Sequence, residues 1–217
     1  MYLKKNIRED ARNEDERGMA AYFDRCFDQG LFISFESQEK ERVTRLVQMF
    51  HIQKGWRILE PGCGCGRMTR LLAEEVGSEG TIEACELSPK MAAWCQKMPF
   101  PSWVNFYNLS VLDLDLSPAS QDAIVCFNVW PHFTYPEIYV NCFRNFLKPG
   151  GYLLIAHSSG REAINSIHHH SCEETIKTHH LPSVEDLAAF LMNYDIKALD
   201  TLSQEDIYYI KAVKGAS

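Results

Sequence analysis

The sequence has no apolar run approaching the roughly 20 residues of a membrane-spanning helix. It has no cluster of Lys and Arg either. Basic residues number 22 against 29 acidic ones, a net charge of −7. An acidic chain without a basic patch is repelled by nucleic acid and by anionic membranes, so neither is expected as a partner. There is no internal repeat and no compositionally biased stretch. With 46% apolar and 24% charged residues, the chain sits near the globular average, which excludes a disordered or collagen-like protein. Met1 to Ile7 are charged and short of apolar side chains, and predict neither a secretory leader nor a lipidation motif. Cysteine is plentiful, at 26, 63, 65, 85, 95, 126, 142 and 172. Cys85, Cys126 and Cys142 lie inside apolar runs, where a free thiol packs as a small hydrophobe. Without a leader, these thiols point to a reduced, cytoplasmic protein.

A length of 217 residues suits one α/β domain. Such a core buries roughly 70% of the surface of the unfolded chain, so it needs no disulfide or metal staple. Residues 6–18 are dense in charge and read as a loose segment. Met19, Tyr22, Phe23, Cys26 and Phe27 then share one helical face, stopped by Gly30. A second helix is predicted over Ser37–Ile52 with Ser37 as its N-cap. Residues 1–36 are expected to form an N-terminal helical lid segment and 37–217 the ligand-binding domain.

From Lys54 onward, strands alternate with helices. The strands are Trp56–Glu60, Thr81–Glu86, Val104–Tyr107, Asp122–Val129 and Tyr152–His157. The helices are Arg67–Val76, one capped by Ser88-Pro89 and running to Lys97, and Pro136–Leu147. This order means βαβ units and a parallel sheet. After a helix at Ser183–Tyr194, two strands, Lys197–Leu202 and Ile207–Val213, are joined by only Ser203–Asp206. A parallel crossover needs about a dozen residues, so the sheet is expected to end in an antiparallel hairpin.

Between the first strand and the next helix lies Glu60-Pro61-Gly62-Cys63-Gly64-Cys65-Gly66. Ligands bind at this carboxyl edge of open α/β sheets, and glycine lets them lie on bare backbone. A plain tight turn is the simpler reading of a lone G-x-G. Here an acid follows at the end of the second strand: Glu86, 20 residues after Gly66, where a carboxylate accepts hydrogen bonds from a ribose diol. Together they favour a nucleoside. A dinucleotide loop would need glycine at 67, which is Arg67. Glu60 beside the loop also suits an ammonium or sulfonium better than a pyrophosphate.

These residues resemble the class I S-adenosylmethionine-dependent methyltransferases. Glu60–Gly66 resembles their first motif, Glu86-Leu87-Ser88-Pro89-Lys90-Met91 their strand-2 motif, and Leu147-Lys148-Pro149-Gly150-Gly151 the turn before their fifth strand. The resemblance implies a Rossmann-like, mostly parallel seven-stranded sheet ending in an antiparallel hairpin, with S-adenosyl-L-methionine as cofactor. It places Glu60 at the methionine end and the backbone of Gly62, Cys63, Gly64 and Gly66 against the cofactor. Glu86 takes the ribose and Leu87 flanks the adenine. Ser110 stands where the family usually has an acid for the adenine amino group, with the Val111 backbone beside it. Asn128 falls in the methionine and methyl region.

Methyl transfer is an in-line displacement in which the enzyme mainly orients the reactants and excludes water. A base is needed only when the nucleophile is protonated. His132 and His157, just past the fourth strand and at the end of the fifth, are candidates, although each could equally be a loop histidine satisfied by backbone. Tyr22, Trp130 and Phe133 could line an acceptor pocket or simply be core. Six of the eight histidines fall between 157 and 180, in what reads as a polar loop roofing the acceptor site, with His168 facing substrate. The expected function is methyl transfer to a small molecule. The alternative is a metal-binding or regulatory protein using segment 168–180, whose spacing fits no zinc template.

Overall fold

The structure, a computed structural model, describes residues 2–216, with side chains from residue 11 onward. Helices α1 (Tyr2–Asp28) and α2 (Ser37–Phe50) precede an alternating series. This runs β1 (Arg57–Pro61), α3 (Arg67–Val76), β2 (Thr81–Cys85), α4 (Pro89–Lys97), β3 (Val104–Tyr107), β4 (Gln121–Phe127), α5 (Pro136–Phe146) and β5 (Leu147–His157). It closes with α6 (Arg161–His169), α7 (Glu174–Lys177), α8 (Val184–Met192), β6 (Ile196–Gln204) and β7 (Ile207–Lys214). The sheet order is β3-β2-β1-β4-β5-β7-β6. The first five strands are parallel, and β7 pairs antiparallel with both β5 and β6.

Side-chain alternation along the strands divides the core between the two faces. Leu59, Ile124, Cys126, Leu153 and Ile155 pack on one side with Val140 and Phe143 of α5. Ile58, Ala123, Val125, Leu154 and Ala156 pack on the other with Val43, Leu46 and Phe50 of α2 and Leu72 of α3. Truncating any one of the fully buried aliphatic residues to Ala costs about 2–5 kcal/mol. The strand order reverses between β1 and β4, and the crevice outside their carboxyl ends is where an open α/β sheet takes its ligand.

Several expectations are corrected. Residues 6–18 are helical, inside α1, and among the described side chains tertiary partners anchor the helix. Glu16 accepts hydrogen bonds from Ser110 (2.6 Å) and Tyr139 (2.9 Å), and Asp24 from the Ser88 hydroxyl (2.5 Å). Further along, Cys26 of α1 packs with Met91 of α4 and with Cys65. Ser37 is the first helical residue of α2 and not its cap; Glu36 occupies that position without a side-chain bond, and the helix stops at Phe50, where His51 turns left-handed (φ 52°). Lys148–Gly151 is a bulge rather than a free turn: the register jumps from Gln121↔Leu147 to Ala123↔Tyr152. The supposed polar loop after β5 carries α6 and α7, each with a buried Ile, Ile164 and Ile176. Among the described residues, no helix is long and apolar enough to cross a membrane.

Candidate active site

A cavity of about 450 Å³ opens at the carboxyl ends of β1, β2, β4 and β5, walled by the glycine loop, α1 and α6. Of the residues singled out in the sequence, Glu60, Gly62, Cys63, Gly64, Glu86, Leu87, Ser110, Val111, Asn128, His132, Phe133, His157, His168 and Tyr22 all line it. Two do not. Trp130 is 4% exposed and packs in the core under α5, edge-on to Phe133 at 5.8 Å. Gly66 caps α3 and faces Cys95 and Phe100 instead.

The loop is folded by backbone demands. Gly62 has φ +69°, and a Cβ there would lie 2.5 Å from a Val129 methyl. Its amide and that of Cys63 both donate to the Cys85 carbonyl, tying the loop to the end of β2. Glu86 is buried and already held: Oε2 accepts from the Gly64 amide and Oε1 from the Ser88 amide, each at 2.8 Å. Burial raises its carboxyl above the usual range, and the amides of Ser88, Gly64 and Leu87 oppose this. The cysteines of the loop are free thiols, Cys63 and Cys65 both buried, with the Cys95 thiol donating to the Gly64 carbonyl at 3.3 Å.

Glu60 differs from Glu86. It is 1% exposed, and its Oε2 is fully buried with no hydrogen-bond partner among the described residues. Burial pushes its carboxyl up to about 8, the Thr69 hydroxyl pulls it down by less, and the Glu86 charge adds to the rise. Glu60 is part of the cavity wall, and a buried acid oxygen left without a donor is costly. A cation placed beside it would offset that cost.

At the far end Ser110 caps the turn Val111–Asp113, accepting from the Leu112 amide, and donates to Glu16. Glu16, on a segment read from sequence as loose, thus brings a carboxylate to this end. Asn128 is left-handed (φ 53°) and is clasped to Ser158 by two hydrogen bonds, Nδ2 to Oγ at 3.1 Å and Oδ1 from the amide at 3.0 Å. Ser158 in turn donates to Glu39, which pairs with Arg67 at 3.0 Å.

The opposite wall is made of histidine and aromatic rings. His132 Nδ1 lies 2.9 Å from His179 Nδ1, and its ring sits 5.2 Å from that of His168 and 5.3 Å from Phe23. His168 Nδ1 is 2.9 Å from the His179 carbonyl. A carbonyl only accepts, so His168 carries its proton on Nδ1, and as neutral imidazole its Nε2 is the bare nitrogen. Burial lowers His132 well below the usual range, helped by His179, His168 and His157. Burial also lowers His179 to about 4 and His157 to about 3. His157 Nε2 has no partner among the described residues. The cluster is therefore neutral at physiological pH. His169, His170 and His180 of the same segment face solvent. Among the described residues no group of three His, Cys, Asp or Glu is arranged to hold a metal ion.

Residues 59–155 match a methyltransferase-domain family model, and residues 17–98 match that of protein-L-isoaspartate(D-aspartate) O-methyltransferase. A ubiquinone biosynthesis O-methyltransferase of Xylella fastidiosa is 30% identical over 106 residues, 47% of this chain and 42% of the relative. The chain thus matches less than half the length of that relative. Among solved structures, a Haloferax volcanii methyltransferase in complex with the Trm112 activator superposes with a TM-score of 0.73, at 15% identity over 89% of this chain and 97% of that one. A Burkholderia thailandensis 1,6-didemethyltoxoflavin N1-methyltransferase with bound S-adenosylhomocysteine gives 0.68, at 17% identity over 94% and 90%. The chain therefore shares the Rossmann-like fold and seven-stranded mixed sheet of S-adenosylmethionine-dependent methyltransferase structures, and its central segment matches the methyltransferase-domain model. The cofactor of the class is S-adenosylmethionine. The unpartnered Glu60 fits its ammonium, and the exposed loop backbone and Glu86 fit its nucleoside.

Proposed function

We propose that this protein transfers a methyl group from S-adenosylmethionine to a small-molecule acceptor. The observation that carries the reading is Glu60 Oε2, a buried acceptor without a donor at the loop where the ammonium would lie. The backbone of Gly62, Cys63 and Gly64 would support the methionine chain. Glu86 keeps lone pairs for two ribose hydroxyls while its amide donors hold it still. Leu87, Val111 and Ser110 would border the adenine, with Glu16 behind Ser110. The bound cofactor supplies an electrophilic methyl on sulfur, with a neutral thioether as leaving group. Residues 1–36 contribute α1 as a lid, since Asp15, Glu16, Met19, Tyr22 and Phe23 line the cavity.

A macromolecular acceptor is disfavoured by the net charge of −7 and by the site's depth among buried rings. Phe133, Tyr22 and His168 form the acceptor wall. His132 is the base: its neutral ring can accept a proton from an acceptor hydroxyl or ring N–H at Nε2 while Nδ1 bonds His179. His157 is a second, more enclosed candidate on the same edge. Isothermal titration with S-adenosylmethionine and S-adenosylhomocysteine tests the reading. Binding of both at micromolar levels is expected; no heat at millimolar ligand would remove it.

A further inference from the structure

The described exposed large apolar residues are Leu31, Phe32, Ile167, Met192 and Leu199. The first three line the candidate active-site cavity, at 45%, 40% and 65% exposure. Leu31 and Phe32 follow α1, and Ile167 lies on α6 beside His168. They come from opposite ends of the chain and meet at the same mouth. Phe32 is also left-handed, with φ +63°. A bulky side chain in that conformation is strained, and such strain persists where the surroundings or a function hold it. Phe32 thus costs stability twice, through backbone strain and through apolar exposure.

Its ring is nevertheless held in place. Phe23 packs edge-on against it at 6.1 Å, and the Arg67 guanidinium lies 5.7 Å from its centroid. Phe23 in turn packs edge-on against His132 at 5.3 Å. An apolar wall therefore runs unbroken from the candidate base, through Phe23, to a ring presented to solvent. A compact acceptor would be used up at His132 and leave the outer part of that wall wet.

We infer that the acceptor is amphiphilic: its nucleophilic head reaches His132, and a hydrocarbon substituent leaves the cavity along Phe23 and Phe32 and under Leu31 and Ile167. This rests on the methyltransferase reading and adds a second requirement on the substrate, an apolar tail of several carbons. The wall would recognise the tail by area alone. The cation beside it, Arg67, lies over the Phe32 and Phe35 rings and is paired with Glu39.

The test uses protein saturated with S-adenosylhomocysteine and a series of 4-alkylphenols from methyl to heptyl, measured by calorimetry. Full burial of one methylene is worth about fourfold in affinity. On a wall covered from one side, roughly twofold per added carbon is expected. Phe32→Asn should cut the gain to near unity for the longer members. Asn tolerates the left-handed region, so this variant should fold at least as stably. Ile167→Ser, at a solvent-facing position, should act likewise. Both variants should bind S-adenosylhomocysteine as the parent does. The inference is overturned if affinity does not grow with chain length, if no member binds, or if both variants keep the parent's slope. Failure of S-adenosylhomocysteine itself to bind would overturn the methyltransferase reading, and this inference with it.

Discussion

If Glu60 receives the cofactor's ammonium, binding must carry a proton signature. In the ligand-free protein its carboxyl titrates near 8, raised by burial and by Glu86. At pH 7 about nine-tenths of the molecules therefore hold a proton there. An ammonium placed within ~4–6 Å lowers a carboxyl by about 1–3 units. The bound form then titrates at roughly 5–7, and ligand and proton compete. Because ionised Glu60 is the binding form, affinity must rise with pH. For shifts of that size, S-adenosylhomocysteine should bind roughly 5- to 50-fold more tightly at pH 8 than at pH 6. About 0.4–0.9 proton should leave per ligand at pH 7, read by calorimetry in buffers of different ionisation heat. Glu86 is also raised by burial, so Glu60→Gln is the isolating variant. It should bind with most of the pH slope removed. A parent protein whose affinity is flat from pH 6 to 8, or a variant that keeps the full slope, would refute the pairing.

The same shift makes a stability prediction: Glu60 is raised from 4.5 to about 8, so its contribution is fully present below pH 4.5 and is lost as pH rises through 8. Glu60→Gln should accordingly raise the melting temperature of ligand-free protein at pH 8 by several degrees and change little at pH 4.5, by scanning calorimetry. Glu86→Ala removes an acceptor held by two amides; it should weaken S-adenosylhomocysteine at least tenfold, since hydrogen bonds to a charged group are worth about 1.5–3 kcal/mol each. Gly62→Ala puts a Cβ 2.5 Å from Val129 at positive φ and should destabilise the fold by about 1–3 kcal/mol, visible in urea unfolding. Once an acceptor with an ionisable proton is in hand, His132→Ala should lower kcat far more than it raises KM. As burial lowers His132 well below its usual range, the parent's rate should not fall between pH 7 and 6.5 for want of unprotonated base.

The parallel half of the sheet and the glycine loop were legible because their signals are local. Glycines between a buried strand and an amphipathic helix, and an acid at the next strand's end, depend on no distant partner. The terminal hairpin followed from a spacer too short for anything else. What escaped depends on tertiary contacts. The charged half of α1 shows no apolar stripe, and its order comes from Glu16 meeting Ser110 and Tyr139 more than 90 residues away. Helix α6 buries only Ile164 and His168, too narrow a face to read in a stretch ending in three histidines. Trp130 and Phe133 look alike in sequence and both pack in the core, yet Phe133 alone of the two also lines the cavity. His179 was visible only as one histidine among many; its partner, His132, lies 47 positions away.

One continuous helix, α1, runs along the cavity from Asp15 to Phe23. Glu16 meets the Ser110 end and Phe23 the His132 end, two helical turns or roughly 10 Å apart along the axis. A rigid bar pinned at both points cannot tilt at one without moving at the other. A group that displaced Glu16 beside Ser110 would be expected to shift Phe23 against His132 as well.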